Sequence, residues 1–309
     1  MTKDQILPQT VRYIKLGEGG IWEAECLARG IIRFGFGSSR ADRFAQCTSG
    51  NWAALREGFL AEGKTASTAT RFANEIRTFF EDRGSILWIT FFGETLGWGF
   101  LDASSALPSD DGRGVWRSVS GGWKRADIKG DVLTKERLAG SLTKLAAYRG
   151  TSCSVDVADY VIRRINGQKL PNVEKAIHAL SEIHAAVIGL IRLLEPKDFE
   201  LLVDLVFAAS GWRRLGVVGK TQKTLDLDLL LPSTGERAFV QVKSRTTSNE
   251  LAECAAALDQ AGPFDRMFFV YHTGALATDD DRIVVIGPDK LSEMVVEAGL
   301  TSWLIRKVS

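Results

Sequence analysis

The chain has 309 residues, enough for two domains of ordinary size, and its 45% hydrophobic and 25% charged content is that of a globular protein with ample core. A net charge of +1 gives no chain-wide signal for a polyanionic partner. Four scattered cysteines without a Cys-x-x-Cys and only three histidines argue against a zinc centre, a disulfide framework and most His-based hydrolytic mechanisms, and no apolar run is long enough for a signal peptide or membrane span, so a soluble, cytoplasmic protein is expected.

Alternation over Val11–Leu16 predicts a strand, broken by Gly17-Glu18-Gly19-Gly20 before a helix over Ile21–Ala28. A second strand over Ile31–Phe36 ends in Gly35-Phe36-Gly37. The glycine loop lacks the Gly-x-x-x-x-Gly-Lys spacing of a phosphate cradle, which argues against a nucleotide site there. Helices are predicted over Trp52–Leu60 and Ala69–Phe80, followed by a hairpin of strands Ile86–Phe92 and Leu96–Leu101 turning through Gly93-Glu94-Thr95. A polar loop over Ser104–Arg113 leads to a strand over Val115–Val119. Helices over Leu142–Tyr148 and Asp156–Asn166 flank Thr151-Ser152-Cys153. The sum is a compact α+β domain or small barrel over residues 1–167. Six of the eight tryptophans fall in it: Trp22, Trp52, Trp88, Trp98, Trp116 and Trp123. Aromatics at alternating strand positions are usually core, yet a pocket for a flipped base also needs aromatic walls.

Gly167-Gln168-Lys169-Leu170-Pro171 reads as a linker, and residues 168–195 as linker plus a long amphipathic helix that either packs the domains together or pairs with a second subunit. His178 and His184, six apart, do not share a helix face as a metal pair. Pro196 ends that helix, and Asp198 is expected to cap the next. Residues 196–309 form the second domain, with a helix over Ser248–Gln260 and apolar runs at 267–271 and 283–286 that read as buried parallel-type strands in a mixed sheet with helices on both faces.

The chemistry concentrates at residues 225–245. Leu225–Leu231 and Ala238–Lys243 read as two strands joined by a turn at Pro232–Glu236. Asp226 and Asp228 share one strand face, and Gln241 and Lys243 share another. If the strands pair, oxygen ligands for a hard divalent cation converge beside a lysine able to orient water or offset phosphate charge. Between Ser210 and Arg245, seven basic residues (Arg213, Arg214, Lys220, Lys223, Arg237, Lys243, Arg245) face three acids, Asp226, Asp228 and Glu236, a local excess that suits a polyanion.

These motifs, with Glu195-Pro196-Lys197-Asp198-Phe199-Glu200-Leu201-Leu202 upstream and Met267–Tyr271, Ile283–Ile286 and Asp289-Lys290-Leu291 downstream, resemble the Mrr-like branch of the PD-(D/E)xK restriction endonucleases, in which Gln replaces the acidic residue. The resemblance spans roughly residues 195–305. It implies a restriction-endonuclease-like mixed sheet and Mg2+-dependent cleavage of double-stranded DNA, with Mn2+ able to substitute. Asp228 is the first choice for the metal carboxylate and Asp226 the fallback. Gln241 would give an amide oxygen, Lys243 would stabilise negative charge, and Glu200 would reach the metal through water. The amino-terminal segment resembles the PUA-like or EVE-like domain found ahead of such nucleases, at Gly17–Ile21, Gly30–Gly37, Trp88–Phe100 and Trp116-Arg117. That implies reading of modified bases, with Trp22, Phe36, Trp88, Trp98, Trp116 and, beside the nuclease site, Arg245 as nucleic-acid contacts. Phe36 stands where that family usually has Trp. The combined architecture implies restriction of foreign or modified DNA, as in phage defence, with a homodimer a further expectation because two cuts need two active sites. The alternatives are a non-catalytic nucleic-acid reader on the nuclease fold and a structure-selective or RNA-directed nuclease.

Overall fold

A computed structural model of the protein describes residues 5–35, 41–215, 226–258 and 264–309. The chain divides into two compact units, Met1–Leu170 and Pro171–Ser309, each with its own sheets and core. Phe36, Lys220 and Lys223 lie outside the described residues.

Unit 1 runs β1 (Thr10–Ile14), α1 (Glu23–Arg29), β2 (Ile31–Phe34), α2 (Ala41–Thr48), α3 (Trp52–Ala61), α4 (Ala66–Glu81), β3 (Ile86–Phe92), β4 (Thr95–Phe100), β5 (Leu107–Pro108), β6 (Val115–Ser118), α5 (Gly140–Thr143), β7 (Ser152–Ser154) and α6 (Ala158–Ile165). Two sheets result, ordered β4-β3-β1-β7 and β2-β6-β5. β1 lies parallel to β3 and antiparallel to β7, which joins the start of the unit to its end. The hairpin β3–β4 forms through Gly93, whose φ of 57° suits a turn that residues with a Cβ avoid. α2 has no counterpart among the predicted elements: its sequence Ala-Asp-Arg-Phe-Ala-Gln-Cys-Thr is amphipathic but short and polar on average.

One core of unit 1 gathers Phe34, Phe59, Phe79 and Trp88 under α3 and α4; another gathers Tyr13, Leu87, Ile89 and Trp98 on the opposite side. Arg117 enters the first region fully buried and donates to three backbone carbonyls: Nε to Ser104 at 3.0 Å, Nη1 to Phe79 at 2.6 Å and Nη2 to Asp102 at 2.7 Å. Burial pulls the pKa of its guanidinium down, with the nearby Asp82 carboxylate opposing the shift. It thereby ties α4, the loop after β4 and β6 into one piece.

Unit 2 runs α7 (Pro171–Ile191), α8 (Pro196–Ala209), β8 (Arg213–Arg214), β9 (Leu227–Leu231), β10 (Glu236–Lys243), α9 (Ser248–Leu258), β11 (Arg266–Tyr271), β12 (Ile283–Ile286), α10 (Pro288–Glu297) and α11 (Thr301–Val308). Its five-stranded sheet is ordered β12-β11-β10-β9-β8 and is mixed: β10, β11 and β12 are parallel, and β8, β9 and β10 antiparallel. Alternation sorts the sheet into two faces. Leu227, Leu229, Val240, Val242 and Val270 pack with Phe199, Leu202, Val203 and Val206 of α8 and with Val187 and Ile191 of α7. Phe239, Met267 and Phe269 pack on the other face with Leu251 of α9. Helices on both faces and a mixed sheet agree with the pattern read from the sequence, and the whole chain is of mixed α and β type.

One local expectation is corrected. Asp198 does not cap α8: Glu195 holds the cap position, Pro196 takes the first turn, and Asp198 lies inside that turn in an ion pair with Lys307 at 2.9 Å. Proline is favoured at the first helical position because its missing N–H is not needed there. On α7, Val173, Ile177, Leu180 and Ile183 are exposed while Val187 and Ile191 are buried. His178 pairs with Glu182 one turn on at 3.4 Å.

Replacing Arg117 by Met leaves three buried carbonyls without their donors, each costing on the order of 1 kcal/mol or more. Arg117→Met is expected to destabilise the protein by about 3 kcal/mol in urea unfolding monitored by tryptophan fluorescence; a loss within experimental error would show that water replaces the guanidinium.

Candidate functional site

In unit 2 the polar groups meet where β9 begins and β10 ends. The hairpin closes with Leu231 opposite Glu236, so Leu227 pairs with Val240 and Asp228 with Phe239. Carried one residue further, this register sets Asp226 across from Gln241. Oδ2 of Asp226 accepts hydrogen bonds from Gln241 Nε2 at 2.6 Å and from the Val242 backbone N–H at 2.7 Å. Gln241 is 6% exposed, on a strand buried on both faces, so its amide needs such a partner. Lys243, two residues on, projects on the same face, and its charge acts on Asp226.

Burial pushes the Asp226 carboxyl above the usual carboxylate range, while the Val242 N–H and the Lys243 charge pull it back. Glu200, exposed on α8, is also raised, first by burial of its carboxyl and then by the negative charge of Asp226. Two carboxylates that feel one another, an amide and a lysine thus form one group. Cys254 of α9 feels the charges of Lys243 and Asp226 as well, but burial raises its thiol and keeps it protonated.

Asp228, the sequence's first choice, is placed apart from this group. Its Oδ2 accepts from Arg237 Nη2 at 2.9 Å, and Arg237 in turn lies over the Phe264 ring at 5.1 Å. Its register partner is the buried Phe239, not Gln241. Asp226, not Asp228, is the carboxylate that meets Gln241. The signal for this was in the turn: closing the hairpin at Leu231 and Glu236 sets 226 across from 241, whereas pairing Leu231 with Ala238 shifts the register by two and sets 228 across from 241 on the same face. Arg245 is exposed just beyond β10.

Hard oxygen donors suit a hard divalent cation, and no thiolate or imidazole belongs to the group. Among the described residues no group of three or more His, Cys, Asp and Glu could hold a metal ion. The donor set is two carboxylates with one amide, whose Nε2 is spent on Asp226 and whose Oε1 is the atom it would offer a cation. This set fits Mg2+, which keeps several of its waters and takes few protein ligands.

The tryptophans of unit 1 separate into two kinds. Trp88 is fully buried, its Nε1 donating to Asp82 Oδ2 at 2.9 Å and its ring edge-on to Phe79. Trp98 is 2% exposed and donates to the Ala126 carbonyl at 2.8 Å. Both are core residues with satisfied N–H groups, which corrects their expected role as base contacts. Trp116 is half-buried at the core's rim under Arg29, 5.1 Å from its ring centroid. Trp22 lines a cavity of about 320 Å³ walled also by Lys15, Gly17, Glu18, Arg149 and Thr151. Arg33 stacks on Trp22 at 4.3 Å and is held by Glu25 at 2.8 Å and by Asp111.

The glycines make that wall. At Gly17, φ is 83°, and a Cβ would stand 2.7 Å from Ile21 Cγ1 and 3.0 Å from Trp22 Cδ2. At Gly35 a Cβ would stand 2.8 Å from Trp22 Cη2. The glycine loop that lacks phosphate-cradle spacing thus serves to lay the indole flat against backbone. Lys15, Arg149 and Thr151 were not legible as site residues. They meet because β1 pairs with β7, the Lys15 N–H donating to the Thr151 carbonyl at 2.8 Å, and no local pattern announces a contact over that separation.

No family model matches the chain, and no curated protein matches it. A solved structure, the MspJI restriction endonuclease in complex with a 27-mer oligonucleotide, is similar at 16% identity with a TM-score of 0.25, over 72% of this chain and 62% of that one. The chain thus spans under two thirds of that structure's length, and a TM-score so low carries no argument about fold or function.

A carboxyl with a raised folded pKa contributes stability that is fully present below its unfolded pKa and lost as pH rises through the folded value. In the metal-free protein, Asp226→Asn is therefore expected to gain melting temperature over the parent as pH is raised from about 4 to about 8, and to gain little at the acid end. A constant difference across that range would mean that Asp226 is not held at a penalty.

Proposed function

We propose that unit 2 is a Mg2+-dependent DNA endonuclease and that unit 1 directs it to foreign or modified DNA. The observation that carries the reading is the Asp226 carboxylate, held by the Gln241 amide and the Val242 N–H with Lys243 on the same strand face and Glu200 within electrostatic reach. Asp226, Gln241 and Glu200 would hold the cation. When bound, the metal supplies polarisation of the phosphate and neutralisation of charge in the transition state. Lys243 places its ammonium where negative charge grows on the phosphate, and the buried strand pair keeps it there. Ionised Asp226 and Glu200 are required for cation binding; their raised carboxyls place the acid limb of activity above the ordinary carboxylate range. Arg245, exposed beyond the strand end, supplies a phosphate contact on the duplex.

Trp22 and its cavity support the second half of the proposal. Aromatic wall, paired cations and a carboxylate in about 320 Å³ are the chemistry of a pocket for an extruded base. Phage defence is the setting in which such a reader joined to a nuclease acts.

The test is cleavage of phage DNA carrying modified cytosines beside its unmodified counterpart, with magnesium and with chelator. Lys243→Ala and Asp226→Asn are each expected to lower cleavage by at least about 100-fold, and Asp228→Asn by less than about tenfold. Cleavage that survives chelator, or Lys243→Ala cutting like the parent, would sink the nuclease assignment; a larger loss from Asp228→Asn than from Asp226→Asn would return the lead to Asp228.

A further inference from the structure

Beside the Trp22 cavity lies another of about 280 Å³, and the two share Gly35 and Thr151 as a common wall. Its lining is of a different kind. Phe34 from β2, Phe59 from α3, and Phe72 and Ile76 from α4 make it mostly apolar. The rings of Phe59 and Phe72 stand edge to face with centroids 5.4 Å apart, leaving aromatic surface on the cavity side. Lys64 lies at its margin, and Arg43, ion-paired to Glu62, covers the Phe59 ring at 4.4 Å.

Two carboxylates line this apolar space: Glu62, ion-paired to Arg43, and Glu75. The Glu75 side chain is 13% exposed and lies 3.9 Å from Arg71 Nε. Burial pushes its carboxyl above the usual range while Arg12 and Arg71 oppose the shift. A carboxylate only accepts hydrogen bonds, and burial makes each missing donor costly, so the cavity is complementary to a flat ligand with N–H groups on one edge. Among nucleobases, guanine carries two adjacent N–H donors on its pairing edge. Cytosine and adenine each place an acceptor beside the amine, and that acceptor would face the carboxylate.

We propose that this second cavity takes the nucleobase adjacent to the one held beside Trp22, and that Glu75 selects guanine there. The proposal rests on the reading of unit 1 as a base reader and adds to it the sequence context in which a base is read. A shared wall of one glycine and one threonine sets the two ligands side by side, as successive bases of one strand are. Phe59 and Phe72 replace the stacking that the second base gives up. Lys64 offers charge to the phosphate near it.

The experiment is equilibrium binding, by fluorescence anisotropy, of the full chain to short duplexes carrying one 5-methylcytosine, with its 5′ and 3′ neighbours varied over the four bases, beside the same duplexes without the methyl group. On one side of the modified base, guanine is expected to bind about tenfold tighter than the other three. Glu75→Gln, which puts a donor beside an acceptor, is expected to cut that preference to less than about threefold while the preference for 5-methylcytosine stays. Phe72→Leu, which removes a wall without touching the carboxylate, weakens binding of the guanine-context duplex most. A parent that prefers 5-methylcytosine but shows no neighbour preference, or a guanine preference unchanged in Glu75→Gln, overturns the second cavity alone. A parent indifferent to the methyl group, or Trp22→Ala that keeps the preference for it, removes the base-reader assignment instead. No binding to any duplex removes both.

Discussion

One carboxylate oxygen closes the strand pair at the centre of unit 2. Oδ2 of Asp226 receives the Gln241 amide and the Val242 N–H, and through them the beginning of β9 is fastened to the end of β10. The need for this comes from burial. β10 is covered on both faces, and a glutamine inside such a strand has to find a partner in the protein because water does not reach it. Satisfying Gln241 fixes the position of Asp226, and the alternation of the strand then fixes where Lys243 points. Burial of the strand pair raises the Asp226 carboxyl while the Val242 N–H pulls it back, so the geometry that orders the site also tunes its charge.

Unit 1 solves a related problem differently. Among its buried polar groups are an arginine and two indoles whose donors are spent on backbone or carboxylate acceptors. Arg117 uses three nitrogens on three carbonyls, and Trp88 and Trp98 give their single N–H to Asp82 and Ala126. These residues stiffen the frame and are closed to any ligand. What remains open is the edge where Trp22 lies against glycine backbone, and there the cations Lys15 and Arg149 face a cavity. Rigid, satisfied residues thus border an unsatisfied concavity, which is the usual relation between scaffold and binding site.

Much of this was legible from local pattern. The hairpin at 225–245 reads from alternation and turn residues, the runs at 267–271 and 283–286 from continuous apolar burial, and the long helix from its apolar stripe. The misses share a cause. Asp228 was preferred to Asp226 because it borders the leucine run, yet the register that decides between them depends on two residues of turn length. Trp88 and Trp98 sit at strand positions with the same composition whether they face core or ligand. α2 escaped because it is short and polar on average, so few apolar residues mark the face it turns to α3 and α4. Asp198 has a capping residue's chemistry and stands one turn too late.

The sequence by itself determined which segments form strands and helices and which polar residues interrupt buried strands, because alternation, apolar periodicity and turn chemistry act between near neighbours. Only the tertiary structure decided which of two aspartates meets Gln241, which tryptophan is free to face a cavity, and that Lys15 and Thr151 share its wall. Those outcomes depend on pairings such as β1 with β7 and on the register of β9 against β10. Such pairings are set by the collective burial of whole faces, and a face is a property of the folded chain rather than of any one stretch of it.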